Sequence, residues 1–421
     1  MKNIINVGVP LTLKKGDNRV SLPPFCINEL LDRLDFSSNY KLNFLIEDSA
    51  GKRASYSNEN YQEVGAEIVD LENLLKRSDI LVDVKQRPQY GIASGKINVF
   101  YAHVEKGQGI EQLRALLNAG NVTAYSPETC KIQKREGETT GYYSGVGGAR
   151  LLMEGIKLSY QIRTPGKDSD KKGAFHFFPS VEGSDEDMVH EAYEKIGSDE
   201  KKLKIAIFGG ENGRAATGAR EELEQAGIGY DLLYKDVTNN PQKLLELISN
   251  YDGIINATQW KPGNSRIITK EILTNIKEGA VLADITCDPD LSSTKDCEGN
   301  PIQGGVRYTF ESRWGEPNKF YWVGPENHTF DNSCPLDKLP NTHVLYNTVG
   351  MIPGGLSTAK RASYAYFNMV SDLLVEIIQS LAYSKELPTD GLIINSGKIF
   401  HPELRRLVPN REDLIEFKPY L

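Results

Sequence analysis

The stretch "LKIAIFGGENGRAATGAREELEQAG" (residues 203–227) decides the fold class. It opens on an apolar run, "LKIAIFGG", of the length and composition of a buried strand. The next run, "GRAATGAREELEQAG", carries its apolar residues at helical spacing and closes on a glycine. Strand, glycine turn and helix in that order open a βαβ series. The series continues through strand "YDLLYKDV", helix "PQKLLELISN", strand "DGIINAT", helix "TKEILTNI" and strand "AVLADIT". Strand "HVLYNTV" and a long amphipathic helix from about Ser357 to Leu381 complete it. Residues 289–341 read as a long irregular stretch of turns and polar residues.

The same alternation fills the first 130 residues. Strands are expected at 4–10, 41–48, 79–85 and 97–103, and helices at 27–34, 71–78 and 110–120. Apolar runs bounded by turn signals and spaced by helices indicate parallel sheets buried on both faces. A glycine-rich stretch, "GYYSGVGGARLLMEG" (141–155), opens a further helix. Residues 164–203 turn polar and charged ("TPGKDSDKKG", "GSDEKK") and read as a surface excursion, not a domain. The expectation is an α/β fold of two doubly wound Rossmann-like domains with an active-site cleft between them. In such sheets ligands bind beyond the carboxyl ends of the strands.

Composition narrows the function classes. A length of 421 residues favours two domains. A formal charge of −8 argues against a general nucleic-acid binder. No run approaches the ~20 apolar residues that span a bilayer, so no membrane partner is expected. The opening "MKNIINVGVPL" lacks the features of a secretory signal. Cys26, Cys130, Cys287, Cys297 and Cys334 are scattered and odd in number, giving neither a disulfide framework nor a zinc site. A reducing cytoplasm is the expected setting.

Chemistry-bearing residues gather at strand ends. In the glycine turn, Gly210, Gly213 and Gly218 with Arg214 are expected to hold a dinucleotide. Glycines permit close backbone approach, and a helix N-terminus offers free N–H groups to a diphosphate. The plain alternative is a turn that serves strand–helix packing alone. The strand "YDLLYKDV" brings Asp236 to the place of a ribose acceptor, which favours NAD and leaves NADP open beside Lys235. Ala257 and Thr258, closing "DGIINAT", are assigned to the same cofactor side.

Lys85 ends "DILVDVK" and His103 ends "INVFYAH". Histidine titrates near neutrality unaided, and burial or nearby cations bring a lysine there. Together they suggest acid–base work coupled to hydride transfer. Separately, each has a plain alternative: a solvated lysine and a hydrogen-bonded structural histidine. His176, His190, His328, His343 and His401 form no metal-ligand spacing. Arg19, in "GDNRVSLPP", is a candidate clamp for a substrate carboxylate, or else a surface arginine. Asp288, in "DITCDPD", is a candidate for a substrate ammonium or the nicotinamide side, or else a turn residue before proline.

The segments "NRVSLPP", "DVKQRP", "YAHVEKGQ", "GYYSGVGGA", the G-x-x-G-R-x-x-x-G turn and "DITCDPD" stand in the order found in the alanine dehydrogenase superfamily. Within it the chain most resembles lysine-forming saccharopine dehydrogenase. "AHVEKGQ" is similar to that family's A-H-C-Y-K-x-Q segment, and "TGYYSGVGGA" to its F-G-Y-Y-A-G-F-A-G-A. The resemblance implies that Lys85 and His103 form the acid–base pair, supported by Lys106, Gln108 and Glu128. It implies that Arg19 binds a carboxylate, with Arg135 a second such ligand, and that Asp288 lies where substrate meets nicotinamide. It also implies a discontinuous substrate domain, 1–145 with 352–421, around a dinucleotide domain, 146–351.

The chain departs from the pattern at Gln86, where that family carries glutamate, and in "KREGETTGYY". Its closing junction, "NTVGMIPGGLSTAKRAS", looks more like alanine dehydrogenase. The leading expectation is an NAD(P)-dependent, opine-type dehydrogenase that reduces the imine formed between an amino acid's amine and a 2-oxo acid. Alanine dehydrogenase-like deamination of a free amino acid is the alternative within enzymes. A non-catalytic nicotinamide sensor is the alternative from another class. The partners are the small-molecule substrates; the oligomeric state is left open.

Overall fold

The computed structural model describes residues 3–13, 17–34, 40–85, 95–102, 116–117, 119–130, 139–163, 203–258, 267–268, 270–285, 320–323, 329–331, 344–348 and 358–402. Two compact units result: Met1–Thr139 with Ala359–Leu421, and Thr140–Thr358. The first begins β1 (Asn3–Val9), α1 (Pro24–Arg33), β2 (Tyr40–Glu47), α2 (Asn58–Glu63) and β3 (Glu67–Val69). It continues α3 (Leu71–Arg77), β4 (Ile80–Lys85), β5 (Ile97–Tyr101) and β6 (Thr123–Tyr125). The second runs α4 (Thr140–Arg163), β7 (Ile205–Phe208), α5 (Arg214–Gln225), β8 (Tyr230–Leu233), α6 (Lys235–Thr238) and α7 (Pro241–Ile248). It closes with β9 (Gly253–Asn256), α8 (Lys270–Asn275), β10 (Val281–Asp284), β11 (Phe320–Val323), β12 (Thr329–Asp331) and β13 (Val344–Thr348). Helix α9 (Ala359–Ala382) and the hairpin β14 (Leu392–Asn395) and β15 (Lys398–Ile399) belong again to the first unit.

Among the described residues the first sheet has eight strands in the order β15-β14-β6-β5-β4-β1-β2-β3. The six from β6 to β3 are parallel, and β14 and β15 extend the edge antiparallel. Every residue of β5 is buried, as is all of β4 except Lys85. Such strands need cover on both faces. On one face Cys26, Ile27 and Leu30 of α1 and Phe367, Val370, Leu374, Ile377 and Ile378 of α9 pack against Val7, Val9, Val82 and Val84. The α9 residues recur at helical spacing, which makes one continuous apolar stripe. On the other face Leu74 of α3 meets Leu45, Val69 and Leu81. Helix α1 starts at Pro24, where a missing N–H costs nothing, and its last-turn Arg33 pairs with Asp372 of α9.

The second sheet has the order β12-β11-β13-β10-β9-β7-β8 among the described residues. The five strands from β13 to β8 are parallel, with β11 and β12 antiparallel at one edge. Helix α4 crosses α5 at two glycines. A Cβ on Gly145 would stand 1.9 Å from the Ala215 carbonyl oxygen, and one on Gly218 would stand 2.0 Å from that of Tyr142. The backbones touch there, and Arg150 Nε donates to Glu222 Oε1 at 2.6 Å across the same pair of helices. Gly218→Ala is therefore expected to destabilise the second unit by about 1–3 kcal/mol or more, through overpacking against backbone that cannot swing aside. Gly229→Ala, with open space around the new methyl, is the neutral control. Chemical unfolding midpoints of the two variants give the comparison.

The parallel α/β reading agrees with the structure, and the antiparallel edges add to it. Strands β11 and β12 lie inside the stretch read as irregular, and β14–β15 is a hairpin that was not expected. The 164–203 excursion lies outside the described residues, as does most of the expected helix 110–120, of which Leu116 and Leu117 are helical. Among the described residues no helix is long and apolar enough to cross a membrane, and no group of histidine, cysteine or acidic side chains can hold a metal ion.

Candidate active site

In the first unit the chemistry gathers where β4 outruns β1. Pairing between them stops at Gly8 and Leu81, so beyond that point β4 has lost one neighbour. Side chains take over the freed carbonyls. Ser21 Oγ donates to the Val82 carbonyl at 2.5 Å, and Tyr366 of α9 donates its hydroxyl to the Asp83 carbonyl at 2.5 Å. Buried backbone acceptors require such partners. Lys85 ends the strand half-buried, its Nζ 5.2 Å from the centroid of the Tyr101 ring.

The segment after β1 carries Arg19 to the same ring, with Cζ 6.0 Å from the centroid. Arg19 is not a surface arginine: it is 3% exposed. Its Nε donates to Asp17 Oδ1 at 2.9 Å and its Nη2 to Oδ2 at 2.6 Å, and Asp17 is wholly buried. Burying two charges costs several kcal/mol per ion, so the pair survives only because its geometry is bidentate. Burial pushes the Asp17 carboxyl up, but the Arg19 guanidinium and then the Lys85 ammonium outweigh it and hold it below the usual carboxylate range. Asp17 occupies one side of the guanidinium. A second carboxylate can therefore reach Arg19 only end-on, through Nη1 and the remaining Nη2 hydrogen.

Tyr101 and Tyr366 meet edge to face, ring centroids 5.0 Å apart. Burial, then Tyr101 and Asp83, push the Tyr366 phenol well above its ordinary value, so it remains a donor. Tyr101 donates to Met369 Sδ at 2.9 Å. Sequence reasoning missed Asp17, Tyr101 and Tyr366. An acid two residues before Arg19 was visible; the contact between β5 and a helix more than 250 residues later was not. Glu128 lies half-buried in a 3-10 turn (Pro127–Thr129) just past β6, at the same carboxyl edge of the sheet as Lys85. His103, Lys106, Gln108 and Arg135 lie outside the described residues, as does Asp288.

In the second unit the glycine turn joins β7 to α5. A Cβ on Gly209 would come 2.9 Å from that of Ala216, and one on Gly213 would stand 3.1 Å from the Gly210 carbonyl oxygen. Gly210 faces open space. Gly213 is the N-cap of α5, with no side chain capping the helix and no acid in its first turn. Exposed Arg214 follows. These features suit a diphosphate: bare amides, open backbone and a cation at a twelve-residue helix's positive end. Gly218 stands apart from this. It is buried against Tyr142 in the α4–α5 crossing, where the close approach of two backbones by itself requires a glycine.

Asp236 also sits elsewhere than expected. Strand β8 ends at Leu233, and "YKDV" forms a turn in which Val237 N and Thr238 N donate to the Tyr234 carbonyl. Asp236, itself exposed, falls in α6, 3.5 Å from Lys243, and not at the strand end. Ala257 and Thr258 follow directly on β9. Ala257 N donates to the Phe208 carbonyl at 2.9 Å. Thr258 donates through N and Oγ1 to Asn256 Oδ1 at 3.3 and 2.8 Å. Asn256 and its neighbour across the ladder, Asp284, are both fully buried at the carboxyl ends of β9 and β10. Neither was singled out from sequence.

Two doubly wound sheets with polar and charged groups at the carboxyl ends of their strands define an α/β fold of the ligand-binding kind. Comparison with known proteins is more particular. Residues 8–146 match the family model "Alanine dehydrogenase/PNT, N-terminal domain". The alanine dehydrogenase of Staphylococcus saprophyticus is 25% identical over 409 residues, covering 87% of this chain and 99% of that protein. Alanine dehydrogenase 1 of Staphylococcus aureus is 28% identical over 303 residues, covering 67% and 72%. A solved L-alanine dehydrogenase shares the fold, with a TM-score of 0.65 at 17% identity over 97% of this chain and 100% of that one. These likenesses support the alanine dehydrogenase superfamily.

Proposed function

We propose that this chain is an NAD-dependent amino-acid dehydrogenase that interconverts a small 2-amino acid with its 2-oxo acid and ammonium. It is an oxidoreductase acting on CH–NH bonds. The observation that carries the reading is likeness to an alanine dehydrogenase along 99% of that protein's length. The cofactor is NAD, which supplies a hydride acceptor or donor when bound. The bare amides of α5, the open backbone at Gly210 and the Arg214 guanidinium would hold its diphosphate. Ala257 and Thr258, with Asp288, would line its other end.

The end-on face of Arg19 receives the substrate carboxylate. Lys85 Nζ, beside it over Tyr101, and His103 form the acid–base pair. Reductive amination needs protons placed on and taken from nitrogen and oxygen at a single carbon, and a pair of titratable groups would serve that. Lys106, Gln108, Glu128 and Arg135 would support the pair and the substrate. The leading expectation from sequence, condensation with a second amino acid's amine, draws its support from the "AHVEKGQ" and "TGYYSGVGGA" motifs alone. The comparisons back free ammonium better.

NADH oxidation, followed by absorbance with the product identified by mass, separates these readings. Pyruvate or another small 2-oxo acid with ammonium is expected to support turnover. If only lysine or another amino acid with 2-oxoglutarate does so, the reaction is of the opine type and the proposal fails. NADH binding with no turnover in any combination would leave the sensor.

A further inference from the structure

We infer that Asp83 is a positioning residue for Lys85, acting through a bulge in β4; the inference rests on the reading of Lys85 just given. Between Val82 and Lys85 the register of β4 on β5 slips. Val82 lies opposite Val99, yet Lys85 lies opposite Tyr101, so β4 takes three steps where β5 takes two. A regular strand would set Val84 opposite Tyr101. Because side chains alternate faces, a slip of one residue exchanges the face that each presents. The extra residue therefore brings Lys85 onto the Tyr101 face, where its Nζ stands 5.2 Å from the ring centroid. Bulges commonly re-aim a side chain in this way beside a site.

A bulge frees backbone N–H groups from the ladder, and here one carboxylate collects them. Asp83 Oδ1 accepts from Val84 N at 2.7 Å and from Lys85 N at 3.4 Å. The Asp83 carbonyl is held in turn by Tyr366. Asp83 is 4% exposed in a strand otherwise made of valine, isoleucine and leucine up to Lys85. A buried acid at a core position is a poor device for stability, since an apolar residue of similar size packs there at no desolvation cost. Its value lies in the acceptor it offers to the displaced amides.

The test compares Asp83→Leu, Asp83→Ala and Asp83→Asn with Lys85→Met in the full-length enzyme. Leucine fills the site without an acceptor, so it removes the hydrogen bonds without the cavity that alanine opens. Asparagine keeps an oxygen where Oδ1 sits. Asp83→Leu or Asp83→Ala is expected to lower kcat between about tenfold and a hundredfold, because small misplacement of a reacting group is costly. NADH affinity, read by fluorescence, stays within about twofold, and Asp83→Asn recovers kcat to within about threefold of the parent. Parent-like kcat in Asp83→Leu, or Asp83→Asn as impaired as Asp83→Leu, overturns the inference. If Lys85→Met itself turns over normally, the reading of Lys85 has failed instead, and the two failures are told apart.

Discussion

Lys85→Met leaves NADH binding intact and lowers turnover by about 10²-fold or more, the usual worth of a positioned proton donor and acceptor. Methionine keeps the unbranched stem against the Tyr101 ring and removes only the ammonium, so packing beside Tyr366 is retained. The loss should appear in kcat and in kcat/KM together, the pattern of an interaction made in the transition state. Steady-state kinetics beside NADH fluorescence titration measure both. Undiminished turnover would remove Lys85 from the chemistry. Turnover lost along with cofactor affinity would make it a binding residue.

Asp17→Asn produces the largest change in stability. It leaves the Arg19 guanidinium buried without its counter-charge, and removing one partner of a buried pair costs about 3–5 kcal/mol. The pH dependence follows with a definite sign. The Asp17 carboxyl is held below the usual range in the folded chain, against burial, by Arg19 and Lys85. Its unfolded form titrates at about 3.9. The unfolded state therefore binds the proton more readily, and the pair's contribution is complete above that value. It is lost as pH falls through the lower, folded value. The urea midpoint of the parent should decline below about pH 4 more steeply than that of Asp17→Asn, which has no such carboxylate. Equal acid slopes would show that Asp17 is not the linked group.

Much of the fold was legible because apolar runs and glycine turns are local signals. The run 203–227 is a strand, a glycine turn and a helix, with β7 and α5 inside the expected bounds. Lys85 ends β4 where the sequence changes from apolar to polar. The β14–β15 hairpin went unread although its signal is present: Ser396 and Gly397 both carry positive φ, the two-residue turn that favours small or flexible residues. Strands β11 and β12 were hidden because polar neighbours dilute their runs.

The site was less legible, and for a different reason. Gly218 and Gly213 look alike in a motif, yet one is consumed by a helix crossing and the other caps α5. Asp236 carries the residue type of a ribose acceptor three positions too late, because β8 stops at Leu233. The pairing of Arg19 with Asp17 and the bulge at Asp83 depend on where backbones stop pairing, which no single position announces.

Helix α9 has a consequence for synthesis on the ribosome. With α1 it covers one face of the first sheet, and it brings the Tyr366 and Ser363 hydroxyls that hold β4 and Val20. Between β6 and α9 the chain inserts all of Thr140–Thr358. At roughly 5–20 residues per second, the nascent first sheet waits on the order of 10–40 s with part of an apolar face bare. Completion of the early strands thus belongs to the last part of the message, and a transcript ending before α9 yields a product for chaperones and proteases, not a half-enzyme.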